Sequence, residues 1–308
     1  MFVFFACLIA VVLAIDECVG DECRVHTCRQ ETPHRIAVLI PFVERQLAML
    51  EHCVRRWLDR PPFSAEHSHV RDSIDVILYY HRTPAHMPEE TRNRIDALFN
   101  ATMPSTPRFF RRDRVSFMWA NLTDEEDAYP AGANHMFYNL FLRNATFEAL
   151  SRRYKFFALL EPDVRPLRQA WANKVYNETL GSFFWQKGSQ FHGRYLPAHF
   201  RTHINGNAIY GLGAEAEAFV DMLRKVQASS SIRMGYDNNI MQWLLAEQNY
   251  QAWYDHVHMF VYADFIRNLH WTAYDFGEFE RKFQNTFLIH NGNATDLGET
   301  TVFTTLDH

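Results

Sequence analysis

Two carboxylates stand two residues apart where an apolar run ends. The run is "YKFFALLEPDV", residues 154–164, and the acids are Glu161 and Asp163. Side chains at i and i+2 of a strand share a face, so the pair points one way if the strand persists that far. Pro162 between them donates no ladder hydrogen bond, which marks the end of strand pairing. Like charges held together repel unless a proton or cation accompanies them. Oxygen donors of this kind suit Mg2+ or Mn2+, and such a cation would grip a diphosphate. The alternative is an acidic loop in which Asp163 caps a helix over "VRPLRQAWANKVY".

Two further stretches carry polar groups in unusual company. "FWQKGS" sets Lys187, Gly188 and Ser189 side by side, a charge next to backbone N–H groups that would suit a diphosphate. Its spacing is not that of a P-loop. "HINGNAIYGLG" holds Asn205, Gly206 and Asn207, where the backbone turns tightly and the amides suit sugar hydroxyls. Trp185 would stack on a sugar face. The plainer alternative is a turn into a strand, with a core tryptophan.

These groups need elements to position them. "IAVLI" reads as a buried strand, and "ERQLAMLEHCVRRWL" has apolar residues at helical spacing. "IDVILYYH" is a second strand, "PEETRNRIDALFN" a helix with acids in its first turn, and "VSFMWANL" a third strand. "GANHMFYNLFLRNATFEALSRRY" is mostly helical, and the fourth strand then delivers the acids. Near-continuous apolar strands alternating with helices predict an α/β fold, a mostly parallel Rossmann-like sheet with helices on both faces. Ligands of open α/β sheets bind beyond the C-terminal ends of the strands, where Glu161 and Asp163 fall. The second half is less regular. It contains the helices "AEAEAFVDMLRKV" and "GYDNNIMQWLLAEQ", the latter with Asp237 placed to cap it, then "HMFVYADFIRNL" and "NTFLIHNGN". There is no internal repeat, and no linker rich in Pro, Gly or Ser divides the chain after residue 35.

The 308 residues are 47% hydrophobic and 22% charged, which fits one large domain over 35–308. A net charge of −5 argues against a nucleic-acid partner. The one basic cluster, "RFFRRDR" at 108–114, carries an acid of its own and reads as a solvated loop. Residues 2–15 are apolar or cysteine throughout. That is short for a bilayer span, so residues 1–15 read as a signal peptide, with Val12 and Ala14 placed for cleavage, or as a short membrane anchor. No Lys or Arg precedes the run. Residues 16–34 form a cysteine-rich stem. Of five cysteines, Cys7 falls in the leader. Cys18, Cys23, Cys28 and Cys53 remain, an even set compatible with two disulfides in an oxidising lumen. Glycosylation sequons occur at Asn100, Asn121, Asn144, Asn177 and Asn293. Together these features predict the secretory pathway, in the ER or Golgi lumen, or secretion.

A parallel sheet, an acid-x-acid at the end of its fourth strand and a secretory leader resemble a metal-dependent nucleotide-sugar glycosyltransferase of the GT-A fold. The motif is Glu161-Pro162-Asp163, and its Glu-Pro-Asp form resembles that of transferases that glycosylate hydroxyproline or serine in proteins. The resemblance runs over residues 35–295 in the order of elements, with close matches only in short motifs. It implies a Mn2+ or Mg2+ ion, a UDP- or GDP-sugar donor, a glycan or glycoprotein acceptor, and an acceptor-binding second half. In that superfamily a late histidine often supplies a third ligand, which here is His290 in "TFLIHNGN", with His270 in "NLHWT" as second choice. A lone strand-end histidine among 16 is otherwise an ordinary hydrogen-bonded surface residue. The superfamily also commonly places an acid at the start of an acceptor-side helix to deprotonate the acceptor hydroxyl, the position of Asp237. One departure is that the second strand ends "LYYHRT", not in acids, so Tyr80 would stack on the nucleotide base instead. Two rival readings are a sugar-nucleotide hydrolase or nucleotidyltransferase, and a secreted non-catalytic glycan-binding protein on the same fold. A nucleotidyltransferase would carry a Gly-rich basic loop where this chain reads "PFVERQ".

Overall fold

A strand that is apolar at every position has no side to give to water, so it belongs in a sheet covered on both faces. β1 (Ile36–Phe42) is such a strand, and β2 (Ile74–Tyr80) is one except at Asp75, whose buried carboxylate is paired with Arg35, Arg114 and Arg153; every residue of β2 is buried. The computed structural model describes residues 34–66, 68–128, 131–190, 202–229, 234–269, 273–290 and 293–294. Helices α1 (Leu47–Asp59) and α2 (Ser68–Arg71) follow β1, and α3 (Glu89–Thr102) leads from β2 to β3 (Val115–Trp119). Helices α4 (Ala131–Leu142) and α5 (Asn144–Ser151) lead to β4 (Phe156–Leu159), short β5 (Arg165–Pro166), α6 (Trp171–Asn177) and β6 (Gln186–Gln190). The remainder runs β7 (Ile204–Gly211), α7 (Glu217–Ser229), α8 (Tyr236–Leu245), α9 (Tyr250–His256), β8 (Phe260–Tyr262) and β9 (Ile266–Asn268). Last come β10 (Ala273–Tyr274), α10 (Phe276–Lys282), β11 (Leu288–His290) and β12 (Asn293–Ala294). The order β-α-β-α-β-α-β of the first half matches the reading from periodicity.

The central sheet has seven strands in the order β3-β2-β1-β4-β7-β6-β8. β3, β2, β1 and β4 run parallel, β7 is antiparallel to both β4 and β6, and β8 is parallel to β6. Period-2 alternation divides the strand residues between two cores. Val38, Ile40, Val76, Leu78, Phe156 and Ala158 pack with α1, α3 and α6 on one face. Ala37, Leu39, Ile77, Tyr79, Phe157 and Leu159 pack with α4, α7 and α8 on the other. The predicted doubly covered, mostly parallel α/β sheet is therefore the observed one. Fully burying one such aliphatic side chain contributes about 1.5–3 kcal/mol, so each face is held by many small terms of similar size.

Two smaller sheets sit beside the large one. β5-β11-β9 form one, with β11 antiparallel to β5 and parallel to β9, and β10 pairs with β12. The helix considered over "VRPLRQAWANKVY" is therefore divided, its start being strand β5 and only Trp171–Asn177 helical. Cys53 is buried on α1 with a free thiol, so it does not complete the expected set of four bridging cysteines. Cys18, Cys23 and Cys28, the stem and the leader lie outside the described residues. No described helix is long and apolar enough to cross a membrane.

Candidate metal centre

β4 ends at Leu159, before the acids, so strand alternation is not what brings them together. The Leu160 N–H still bonds the Leu39 carbonyl of β1 at 2.9 Å. The chain then turns, and the Val164 N–H donates to the Glu161 carbonyl at 2.9 Å. Pro162 is the second residue of this turn, where its fixed φ favours the bend. The turn, not a shared strand face, makes the two carboxylates converge.

The third group comes from the far end of the chain. Immediately after the turn, β5 pairs with β11 in a register that sets Ile289 against Arg165. The next residue, His290, is thereby carried opposite the turn. Its Nε2 lies 2.9 Å from Glu161 Oε2 and 3.3 Å from Asp163 Oδ1. One donor atom from each of Glu161, Asp163 and His290 falls within 4.8 Å of the others. His290 is 3% exposed, yet neither ring nitrogen makes a hydrogen bond of acceptable geometry among the described residues. A buried imidazole nitrogen whose nearest polar groups are two carboxylates is what a ligand set presents to a cation. Two hard oxygens and one neutral nitrogen suit Mn2+ or Mg2+ and not a thiophilic metal. Burial alone would lower the His290 pKa, but the Asp163 and Glu161 carboxylates outweigh it and hold it up at about 10.

Asn207 grips the same glutamate. Its Oδ1 accepts the Glu161 N–H at 2.7 Å and its Nδ2 donates to Glu161 Oε2 at 2.9 Å. Because β7 is antiparallel to β4, the start of β7 lies beside the end of β4, which is how residues 205–207 reach the turn. Asp237, in the first turn of α8, lies at the other end of this segment. Its Oδ2 accepts the Gly206 N–H at 3.0 Å and is 3.6 Å from His203 Nε2, and its Oδ1 accepts the Asn238 N–H at 2.8 Å. The N-cap of α8 is Gly235, so Asp237 is not the cap expected of it.

A cleft of roughly 170 Å³ opens beside the turn at the C-terminal ends of β1 and β4. It is lined by Pro41, Phe42, Leu159, Glu161 and Pro162 from the strand ends and the turn, by Tyr79, Met136, Phe137 and Tyr236, and by Arg45, Gln46 and Asp127 among others. Phe137 and Tyr236 stack face to face at 3.7 Å between ring centroids. Near this cleft, His81 stands between two acids, with Nε2 2.7 Å from Glu44 and Nδ1 2.7 Å from Asp127. It ties the loop after β1 to the loop after β3.

Of the residues expected to touch substrate, several are committed elsewhere. Tyr80 is wholly buried on the α1 face among Phe42, Trp119 and His81, with no ring face open to stack on a base. Its neighbour Tyr79, on the opposite face, is the tyrosine that lines the cleft. Trp185 is 2% exposed, lies against Phe219 and His256, and donates Nε1–H to the Glu215 carbonyl, so it offers no sugar platform. Lys187 is held by Glu178 at 2.7 Å, and Gly188 lies mid-sheet, where a Cβ would come within 2.9 Å of the Ala208 side chain. Neither faces a diphosphate. Asn205 and Asn207 use their amides on each other and on the two acids. Gly206 is in a strand, not a tight turn, and a Cβ there would meet the Tyr236 hydroxyl at 2.2 Å. The second-choice ligand His270 lies outside the described residues. Sequence reading missed the His81 clasp and the Asn207 grip. "LYYHRT" was a visible signal for the first, whereas nothing local announces the second.

No family model matches the sequence, and no curated protein matches it either. Among solved structures, the chain is similar to mouse xyloside xylosyltransferase 1 in its apo form, at 11% identity and a TM-score of 0.48, over 83% of this chain and 96% of that one. It is similar to the glycosyltransferase GlyE of Streptococcus pneumoniae TIGR4, at 9% identity and a TM-score of 0.45, over 83% of this chain and 55% of that one. It is also similar to the mannosyltransferase PcManGT of Pyrobaculum calidifontis in complex with GDP-Man and Mn2+, at 10% identity and a TM-score of 0.40, over 76% and 55% respectively. This chain thus spans about half the length of the last two. At these scores the likeness is one of backbone course, and the chemistry of the site rests on its own side chains.

Proposed function

We propose that this chain is a metal-dependent glycosyltransferase that moves a sugar from a nucleoside diphosphate to an acceptor hydroxyl. The observation that carries this reading is the convergence of Glu161, Asp163 and an otherwise unpartnered His290 nitrogen beside a cleft at the strand ends. Glu161, Asp163 and His290 would hold Mn2+ or Mg2+. When bound, such an ion supplies charge stabilisation to the departing diphosphate, an effect worth several kcal/mol. The cleft residues Tyr79, Phe137 and Tyr236 offer apolar surface to the nucleoside end of the donor, and Arg45 offers it a cation. Asp237 orients the acceptor hydroxyl and accepts its proton. That carboxylate is already aimed by the Gly206 N–H, so it does not have to be ordered at the moment of reaction.

The setting we infer is the secretory pathway. It is supported by the apolar run at residues 2–15 and by exposure of the sequon asparagines Asn100, Asn121, Asn144 and Asn177, all of which would accept a glycan without disturbing the core. The acceptor in this reading is a glycan or glycoprotein, and the donor a UDP- or GDP-sugar.

The test has two parts. Thermal-shift titration with UDP- and GDP-sugars, with and without Mn2+, should show stabilisation by one donor that requires the ion. Asp163→Ala should abolish transfer while the far-UV spectrum is retained. Wild-type transfer rates for Asp163→Ala in Mn2+ would refute the assignment. Sugar binding with no ion-dependent nucleotide affinity would favour the non-catalytic glycan-binding alternative.

A further inference from the structure

The amide of Asn207 is 2% exposed and meets Glu161 twice. A carboxamide has a donor end and an acceptor end, and only one orientation fits. The Glu161 N–H can be answered only by Oδ1, so Nδ2 must face Glu161 Oε2. The second Nδ2 hydrogen is then directed to Asn205 Oδ1 at 3.0 Å, and that oxygen also accepts the Asn207 N–H at 3.0 Å. With its oxygen so committed, Asn205 turns its own Nδ2 towards Asp237 Oδ2, at 3.5 Å. The polarity of the whole chain follows from one backbone N–H. The glutamate oxygen pinned at one end, Oε2, is the one 2.9 Å from His290 Nε2.

We propose that Asn207 is a positioning residue that fixes the Glu161 carboxylate in its ion-binding orientation and, through Asn205, links that orientation to Asp237. This rests on the reading of Glu161 as an ion ligand. Glu161 is the most exposed of the three candidate ligands, with 39% of its side chain accessible, and left alone it would sample several rotamers. Asp163 and His290 are held by burial, at 13% and 4%. Only Glu161 therefore needs an added restraint. Asparagine suits the position because its amide can answer an N–H and a carboxylate at once. Leucine has a similar shape and does neither, and aspartate would set a second charge against Glu161.

The experiment is Mn2+ titration of the full chain by electron paramagnetic resonance, with no nucleotide and no turnover. Asn207→Leu should weaken Mn2+ binding by about 10- to 100-fold, the usual effect of removing a partner that orients a ligand. Asn205→Ala cuts the link to Asp237 and removes the oxygen that holds Asn207 but leaves both Asn207–Glu161 bonds in place, so its loss of Mn2+ affinity should be smaller than that of Asn207→Leu, and an equal or larger loss would overturn the proposal. Melting curves in EDTA accompany both. If Asn207→Leu does not fold, Asn207→Ser carries the same expectation in less space. A folded Asn207 variant with wild-type Mn2+ affinity overturns the proposal, as does a lowered melting temperature with unchanged affinity. Failure of the underlying reading looks different, since wild type itself would then bind no Mn2+ and both claims would fall together.

Discussion

The ionisation of His290 sets the sharpest expectation for the site. In the metal-free protein burial opposes its charged form, but the Asp163 and Glu161 carboxylates, 3.3 and 2.9 Å away, hold its pKa up at about 10. A metal ion needs the neutral imidazole, so binding must expel that proton. At pH 7 the neutral form is about one part in a thousand, a handicap of about 4 kcal/mol at 1.36 kcal/mol per pH unit. Apparent Mn2+ affinity should therefore rise about tenfold per pH unit, or about 100-fold between pH 6.5 and 8.5. Stability of the metal-free protein should move the other way. The folded-state pKa lies above the unfolded 6.5, so the proton's contribution is fully present below pH 6.5 and is lost as pH rises through about 10. Isothermal titration of Mn2+ in two buffers of different ionisation enthalpy measures affinity and proton release together. The expected result is about one proton released per ion. An affinity flat within threefold over that range, or release of less than half a proton, would refute the argument.

Two further outcomes follow from the packing around the site. Gly206→Ala would push a methyl group into the Tyr236 hydroxyl, 2.2 Å away, and thermal denaturation should show a loss of about 1–3 kcal/mol from overpacking. His81→Leu should unlatch Glu44 from Asp127 and leave both acids without their common partner, at a cost of about 1–3 kcal/mol. Its signature in kinetics is a raised KM for donor with kcat little changed, because the clasp ties together loops near the cleft and lies outside the proposed chemistry.

Much of the sheet could be read from periodicity, because strands buried on both faces leave continuous apolar runs, as in residues 36–40 and 76–80. The Glu-Pro-Asp pair was legible from its place after the fourth strand, whereas what aims the two acids was not. A shared strand face would have held only if the strand persisted, and a turn through Pro162 brings the acids together instead. His290 could be placed because an apolar strand ends on it. Tyr80 shows where local reading stops. It and Tyr79 are adjacent, equally aromatic and on opposite faces, and only the packing of distant helices decides which one meets the cleft. Lys187 fails for a related reason. Its partner Glu178 is at the end of a helix, and a sequence does not show which carboxylate will satisfy a lysine. Asn207 looked like a sugar ligand because its amide was visible and its two hydrogen-bonding neighbours, Glu161 and Asn205, were not visible as such.

Glu161 and Asp163 emerge from the ribosome well before the strand that bears His290. Domains form N-terminal first during synthesis, so the sheet that carries the acids can assemble while the imidazole is still to be made. A nascent chain would then display two bare carboxylates and no nitrogen, and would acquire the full donor set only when β11 zips onto β5 and β9. Competence would arrive only once residue 290 has been made, and any chain truncated before it would have a nearly complete sheet and an incomplete centre.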